Sequence, residues 1–164
     1  LNIRNARIEE LDEVAQVISA AYHQYSAIIP PEQWQPYLNN LIDVRGRLDK
    51  AELIVAEEDG RILGAVTFFP DGAASTEEGW TEDYSGIRIL AVPPDARGRG
   101  LGRILTEECI RRSRELGVRY VGLHTTEFMA VAKAMYERMG FERIPEFDFK
   151  PAPQVVVMAY RLEL

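Results

Sequence analysis

The run Leu90-Ala91-Val92-Pro93-Pro94-Asp95-Ala96-Arg97-Gly98-Arg99-Gly100-Leu101-Gly102-Arg103 holds the residue types in this chain best suited to chemistry. Its apolar start reads as a strand, its middle as a turn dense in glycine and arginine, and its end as the opening of a helix. Glycine lets a backbone N–H approach a ligand with no Cβ in the way. A helix start adds N–H groups with no partner in the helix and the positive end of the macrodipole. Arg97, Arg99 and Arg103 add full positive charge. The combination predicts a site for a phosphorylated ligand, a pyrophosphate in particular, with the main-chain N–H groups of residues 98–103 carrying most of the contact.

The spacing rejects two familiar phosphate loops. A Walker A loop ends in Gly-Lys-Ser/Thr, whereas Gly102 is followed by Arg103 and Ile104. A dinucleotide fingerprint needs a third glycine where Arg103 stands. What remains is Arg-x-x-Gly-x-Gly, at Arg97, Gly100 and Gly102. With the preceding Leu-Ala-Val-x-Pro, it resembles the acetyl-CoA loop of the GCN5-related N-acetyltransferases (GNAT). A second segment, Ala132-Lys133-Ala134-Met135-Tyr136-Glu137-Arg138-Met139-Gly140-Phe141, is similar to that family's A-x-x-x-Y-x-x-x-G-F motif.

The resemblance implies a set of roles. Leu90, Ala91, Val92, Arg97, Gly98, Arg99, Gly100, Leu101, Gly102 and Arg103 bind acetyl-CoA. A bulge in the strand before the loop turns the N–H groups of Leu90 and Val92 toward the acetyl carbonyl and the pantetheine amides. Donors aimed at a developing oxyanion are worth a few kcal/mol each. Tyr136 protonates the departing thiolate; a phenol is still protonated at neutral pH and can donate. An ordinary core tyrosine would look the same in sequence. Met129 stands where many members carry an asparagine that contacts the pantetheine arm, which leaves that contact to backbone or to Lys133. No covalent intermediate is required.

The general base is less legible. No carboxylate lies between Ser85 and Val92, where some members carry a glutamate; Arg88 is there instead. Glu82 is the expected base, with Asp83 beside it, acting directly or through water. His124 and Glu127 lie at the end of the following strand, and His23 lies on the first helix. Cys109, among apolar neighbours, reads as core. No His/Cys cluster has metal-ligand spacing, so no metal is expected.

These groups need a scaffold. Periodicity predicts a strand at Asn2–Arg7 and helices at Ile8–Tyr25 and Glu32 to about Arg47, the second with Trp34, Leu38, Leu41 and Ile42 inward. Strands follow at Glu52–Glu57 and Arg61–Phe69, joined by an Asp-Gly hairpin turn. A loop is expected from Pro70 to Tyr84, then a strand at Ser85–Val92, a helix at Gly100–Leu116 and a strand at Arg119–Thr125. Two strands joined through a helix imply parallel neighbours. A helix at Met129–Met139 ends at Gly140. Strands at Phe141–Phe147 and Gln154–Arg161, linked by a proline-rich connector from Lys150 to Pro153, close the chain. This order matches an α/β class, the acyl-CoA N-acyltransferase fold, with a mixed, mostly antiparallel sheet flanked by helices.

The chain has 164 residues, 46% of them hydrophobic and 27% charged, as expected of one globular domain spanning 1–164. A formal net charge of −7 argues against general nucleic-acid binding. It favours a cationic or neutral acceptor, a small molecule or a peptide amine. One cysteine excludes an internal disulfide. No apolar run reaches membrane-spanning length, and Leu1-Asn2-Ile3-Arg4 lacks a signal-peptide core, so a cytoplasmic address is expected. The run Val155-Val156-Val157 leaves a homodimer open. The leading expectation is transfer of acetyl from acetyl-CoA to a primary amine. A CoA-binding module without catalysis, and an enzyme for a longer acyl group, also fit. The acceptor is expected to meet Tyr22, His23, Tyr25, Trp34, the acidic loop Asp71–Asp83 and the segment Glu146–Gln154.

Overall fold

The computed structural model describes residues 1–75 and 79–164. Its elements are β1 Asn2–Asn5, α1 Leu11–Tyr22, α2 Pro31–Ile42, β2 Glu52–Glu58, β3 Arg61–Phe69, β4 Tyr84–Ala91, α3 Leu101–Leu116, β5 Tyr120–Thr125, α4 Ala130–Arg138, β6 Glu142–Arg143, β7 Phe149–Ala152 and β8 Val155–Glu163. The chain gathers into two compact units, Leu1–Thr67 with Ile89–Glu108, and Phe68–Arg88 with Cys109–Leu164. Among the described residues, no helix is long and apolar enough to cross a membrane.

In the first unit the strands lie in the order β1-β2-β3, with the end of β4 next. β1 is antiparallel to β2, from Asn2 opposite Glu57 to Asn5 opposite Ile54. Asp59 and Gly60, at φ 53° and 80°, form the two-residue hairpin turn expected of an Asp-Gly pair. α1 buries Leu11, Val14, Ile18, Ala21 and Tyr22 at helical spacing. α2 is shorter than expected. Its final carbonyls are capped by the Arg47 guanidinium, which donates to Asn40 O and Leu41 O, both at 2.6 Å. Of the four residues expected on its inner face, Leu41 alone is fully buried; Trp34, Leu38 and Ile42 are half-buried.

In the second unit the order is β4-β5-β8-β6, with β7 also on β8. β4 runs parallel to β5, whereas β5, β6 and β7 are antiparallel to β8. The sheet is therefore mixed and mostly antiparallel. Trp80, Tyr84, Tyr120, Ile144 and Ala159 form its core, with Phe147 against them.

Two sequence expectations fail here. The strand expected over Phe141–Phe147 is only Glu142–Arg143, because Pro145 has no N–H for a ladder and opens a 3-10 turn at Pro145–Phe147. The connector expected at Lys150–Pro153 is instead largely strand β7, tolerated because it is an edge pairing with β8 alone. The expected loop Pro70–Tyr84 contains a 3-10 turn at Gly72–Ser75, and its residues 76–78 lie outside the described ones.

Candidate active site

The glycine turn sits in the first unit. After a 3-10 turn at Pro94–Ala96 the chain passes through Gly98 and Gly100 at φ 82° and 75°. Any other residue would be strained there. A Cβ built on either glycine meets nothing within 4 Å. Gly100 O accepts from Ile104 N at 3.0 Å, the first bond of α3. The N–H groups of residues 98–103 have no partner among the described residues. Open space, unpaired donors and a helix N-terminus thus coincide, with Leu101 buried beneath to hold the first turn.

The three arginines of the turn are each engaged. Arg97 donates from Nε to Val92 O at 3.0 Å and from Nη2 to Ala21 O at 3.2 Å. Arg99 Nη2 meets both carboxylate oxygens of Glu58, at 3.0 and 2.9 Å. Arg103 Nε donates to Glu107 at 2.7 Å. Arg99 and Arg103 face carboxylates and Arg97 faces neutral carbonyls, whereas the main-chain N–H groups of residues 98–103 have no partner among the described residues.

The strand leading into the turn is distorted. Ile89 has φ 56°, a left-handed conformation that a β-branched residue adopts only under constraint. It immediately precedes Leu90. The ladder between β4 and β5 ends at Gly86 opposite Gly122, although both strands continue. Leu90 and Val92 are half-buried and Ala91 is buried.

α4 lies in the second unit. It closes as expected, with Gly140 at φ 96° and Phe141 N donating to Tyr136 O at 3.0 Å. Tyr136 is buried, its ring edge-on to Phe141 at 5.6 Å between centroids. Lys133 is not an unengaged cation: its ammonium lies 3.7 Å from Glu137. Glu137 also accepts from Tyr160 Oη at 3.0 Å. Burial first, and that carboxylate second, push the Tyr160 hydroxyl up to about 12.

Glu82 is exposed in the turn ahead of β4. His124 Nε2 lies 3.0 Å from Phe147 O. A carbonyl only accepts, so Nε2 carries the proton. The ring packs against Trp80 at 4.9 Å and Phe149 at 5.2 Å. His23 and Glu127 are exposed, and Cys109 is buried. Tyr22 meets Tyr25 at 5.7 Å and Tyr37 at 6.4 Å, and Trp34 meets Tyr37 at 6.1 Å, so the expected acceptor aromatics of the first unit form one cluster. Burial raises the Tyr25 hydroxyl, with Arg97 acting in the opposite direction.

Sequence reasoning missed Trp80 as a core residue. Its indole lies across Gly122, where a Cβ would come within 2.7 Å of the ring. It also missed Thr125 and Thr126, buried with neither hydroxyl partnered among the described residues. The available signal was a pair of polar residues closing an otherwise apolar strand.

The model of the acetyltransferase (GNAT) family matches residues 13–141. A mycothiol acetyltransferase from Cellulomonas flavigena is 36% identical over 107 residues, covering 62% of this chain and 31% of that protein. The chain thus spans about a third of that relative's length. A GNAT-family acetyltransferase structure from Desulfovibrio desulfuricans superposes with a TM-score of 0.73 at 22% identity, covering 99% of this chain and 98% of that one. A GNAT-family acetyltransferase from Brucella melitensis, solved with acetyl-CoA, gives a TM-score of 0.67 at 24% identity, covering 99% and 87%.

Proposed function

Because the chain belongs to the GNAT family of acetyltransferases, we propose that it transfers the acetyl group of acetyl-CoA to a primary amine by direct attack. One observation carries this reading: the unpartnered N–H groups of residues 98–103, at a helix start where Gly98 and Gly100 leave open space. They suit a diphosphate, whose charge the dipole of α3 also favours. The complex of the Brucella relative with acetyl-CoA supports the same ligand.

The co-substrate supplies an activated acyl carbonyl and a thiol leaving group. The chain's task is to orient that carbonyl and to handle charge. The left-handed conformation of Ile89, directly before Leu90, supports a role for the Leu90 and Val92 N–H groups as donors to the carbonyl oxygen. Tyr136 is the proposed proton donor to the departing thiolate. Its burial and its seat one turn before the Gly140 stop support a fixed hydroxyl position. Arg97 is read as a strut for the turn rather than a phosphate ligand. The whole chain is read as one catalytic domain, supported by a family match that runs unbroken from residue 13 to 141.

The test has two parts. Calorimetry with CoA should detect uptake at one site. Thiol release from acetyl-CoA, followed across a panel of primary amines, should then show turnover on at least one. Uptake with no turnover on any amine would favour a binding module instead.

A further inference from the structure

We propose that the β2–β3 hairpin clamps the glycine turn through two oppositely oriented ion pairs, which makes Glu58, Arg61 and Asp95 positioning residues for the acyl-CoA; this rests on the function just proposed. Glu58 closes β2 and Arg61 opens β3, with Asp59 and Gly60 between them. Arg61 pairs with Asp95. Glu58 accepts from the Arg99 guanidinium on both carboxylate oxygens, at 3.0 and 2.9 Å. The hairpin and the glycine turn thus each contribute one acid and one base. All four residues belong to the first unit.

The glycine turn needs such a hold. Gly98 and Gly100 sit at positive φ with open space around them. Glycine gives up more conformational freedom on ordering than any other residue. A turn left loose would suit the ligand for part of the time, and apparent affinity falls with that fraction. Asp95 precedes Gly98, and Arg99 follows it directly. The two pairs therefore grip the turn on both sides of Gly98.

The hairpin is a firm anchor. β3 lies beside β4 in the sheet, and Ile62 and Leu63 are buried directly after Arg61. A Cβ on Gly64 would lie 3.2 Å from Ala91 O and 3.2 Å from the Leu105 side chain. β3 thus packs closely on the strand that enters the turn and on the helix that leaves it. The tight Asp-Gly turn fixes the separation of Glu58 and Arg61. Crossed charges also set orientation, since a reversed fit would bring acid against acid and base against base.

The experiment follows CoA affinity by calorimetry in Glu58→Gln, in Asp95→Asn, and in the charge exchange that joins Arg61→Asp to Asp95→Arg. If the long-range field alone mattered, removing an acid beside an anion site would tighten binding. With a clamp, each single variant should instead bind CoA about two- to fivefold more weakly, the range an exposed ion pair supplies. The exchange should restore the parental affinity. In about 1 M salt, where exposed pairs are screened, the parent and the single variants should bind alike. Without ligand, both single variants should melt within about 2 °C of the parent, since exposed pairs contribute little to overall stability. Unchanged or tighter CoA binding in either single variant, or an exchange that restores nothing, would overturn this proposal alone. A loss of affinity that persists in high salt, or a larger fall in melting temperature, would also overturn it by showing a general structural role. A parent protein that takes up no CoA would overturn the proposed function as well.

Discussion

The Arg97 guanidinium donates to the carbonyl of Val92, five residues back in the chain, at 3.0 Å. Its other arm reaches Ala21 O near the end of α1, at 3.2 Å. An arginine tied to two carbonyls stabilises the turn before any ligand arrives. Charged hydrogen bonds of this kind contribute about 1.5–3 kcal/mol, less where exposed. Arg97→Gln should therefore lower the melting temperature without ligand by about 3–6 °C. A pure phosphate ligand would leave that temperature unchanged and weaken CoA binding alone.

Gly100 and Gly102 should respond differently to substitution. Gly100 is left-handed and Gly102 is not. Gly100→Val should both lower the melting temperature and abolish CoA uptake, because the strained backbone and the new side chain act together. Gly102→Val should abolish uptake with a much smaller change in melting. Calorimetry beside thermal unfolding separates the two effects.

Tyr136→Phe keeps the buried ring and its edge contact with Phe141. Turnover in the thiol-release assay should fall about 100-fold, within the usual contribution of a positioned acid. CoA affinity should change less than about threefold, since a proton donated in the transition state contributes little to ground-state binding. Unchanged turnover would remove Tyr136 from the mechanism.

Glu82→Gln should leave turnover within about twofold, as expected of an exposed side chain ahead of a strand whose other end carries the proposed donors. A loss of tenfold or more would assign it as the base, acting directly or through water.

Acid stability should depend on Glu10. Two hydrogen bonds from Arg4, at 2.8 and 2.9 Å, and one from Arg7 N, at 2.7 Å, hold its carboxyl down at about 2 against an ordinary 4.5. A depressed carboxylate stabilises the folded state fully above its unfolded value and loses that contribution as pH falls toward the folded one. Glu10→Gln should therefore melt lower than the parent at pH 7. The gap should narrow between about pH 4.5 and pH 2. A gap independent of pH would assign the effect to packing.

Much of this protein was readable from local pattern, because local physics decides it. Asp59-Gly60 forced a two-residue turn, Gly140 stopped α4, and Gly98 and Gly100 took left-handed conformations ahead of α3, since each depends on backbone conformation within a few residues. Only the tertiary structure decided that Arg99 pairs with Glu58, forty-one residues earlier in the chain. Equally non-local are the burial of Trp80 on Gly122 and the Thr125 and Thr126 hydroxyls, buried with no partner among the described residues. Strand pairing and side-chain burial join residues far apart in the chain, and no window of neighbouring residues contains that information.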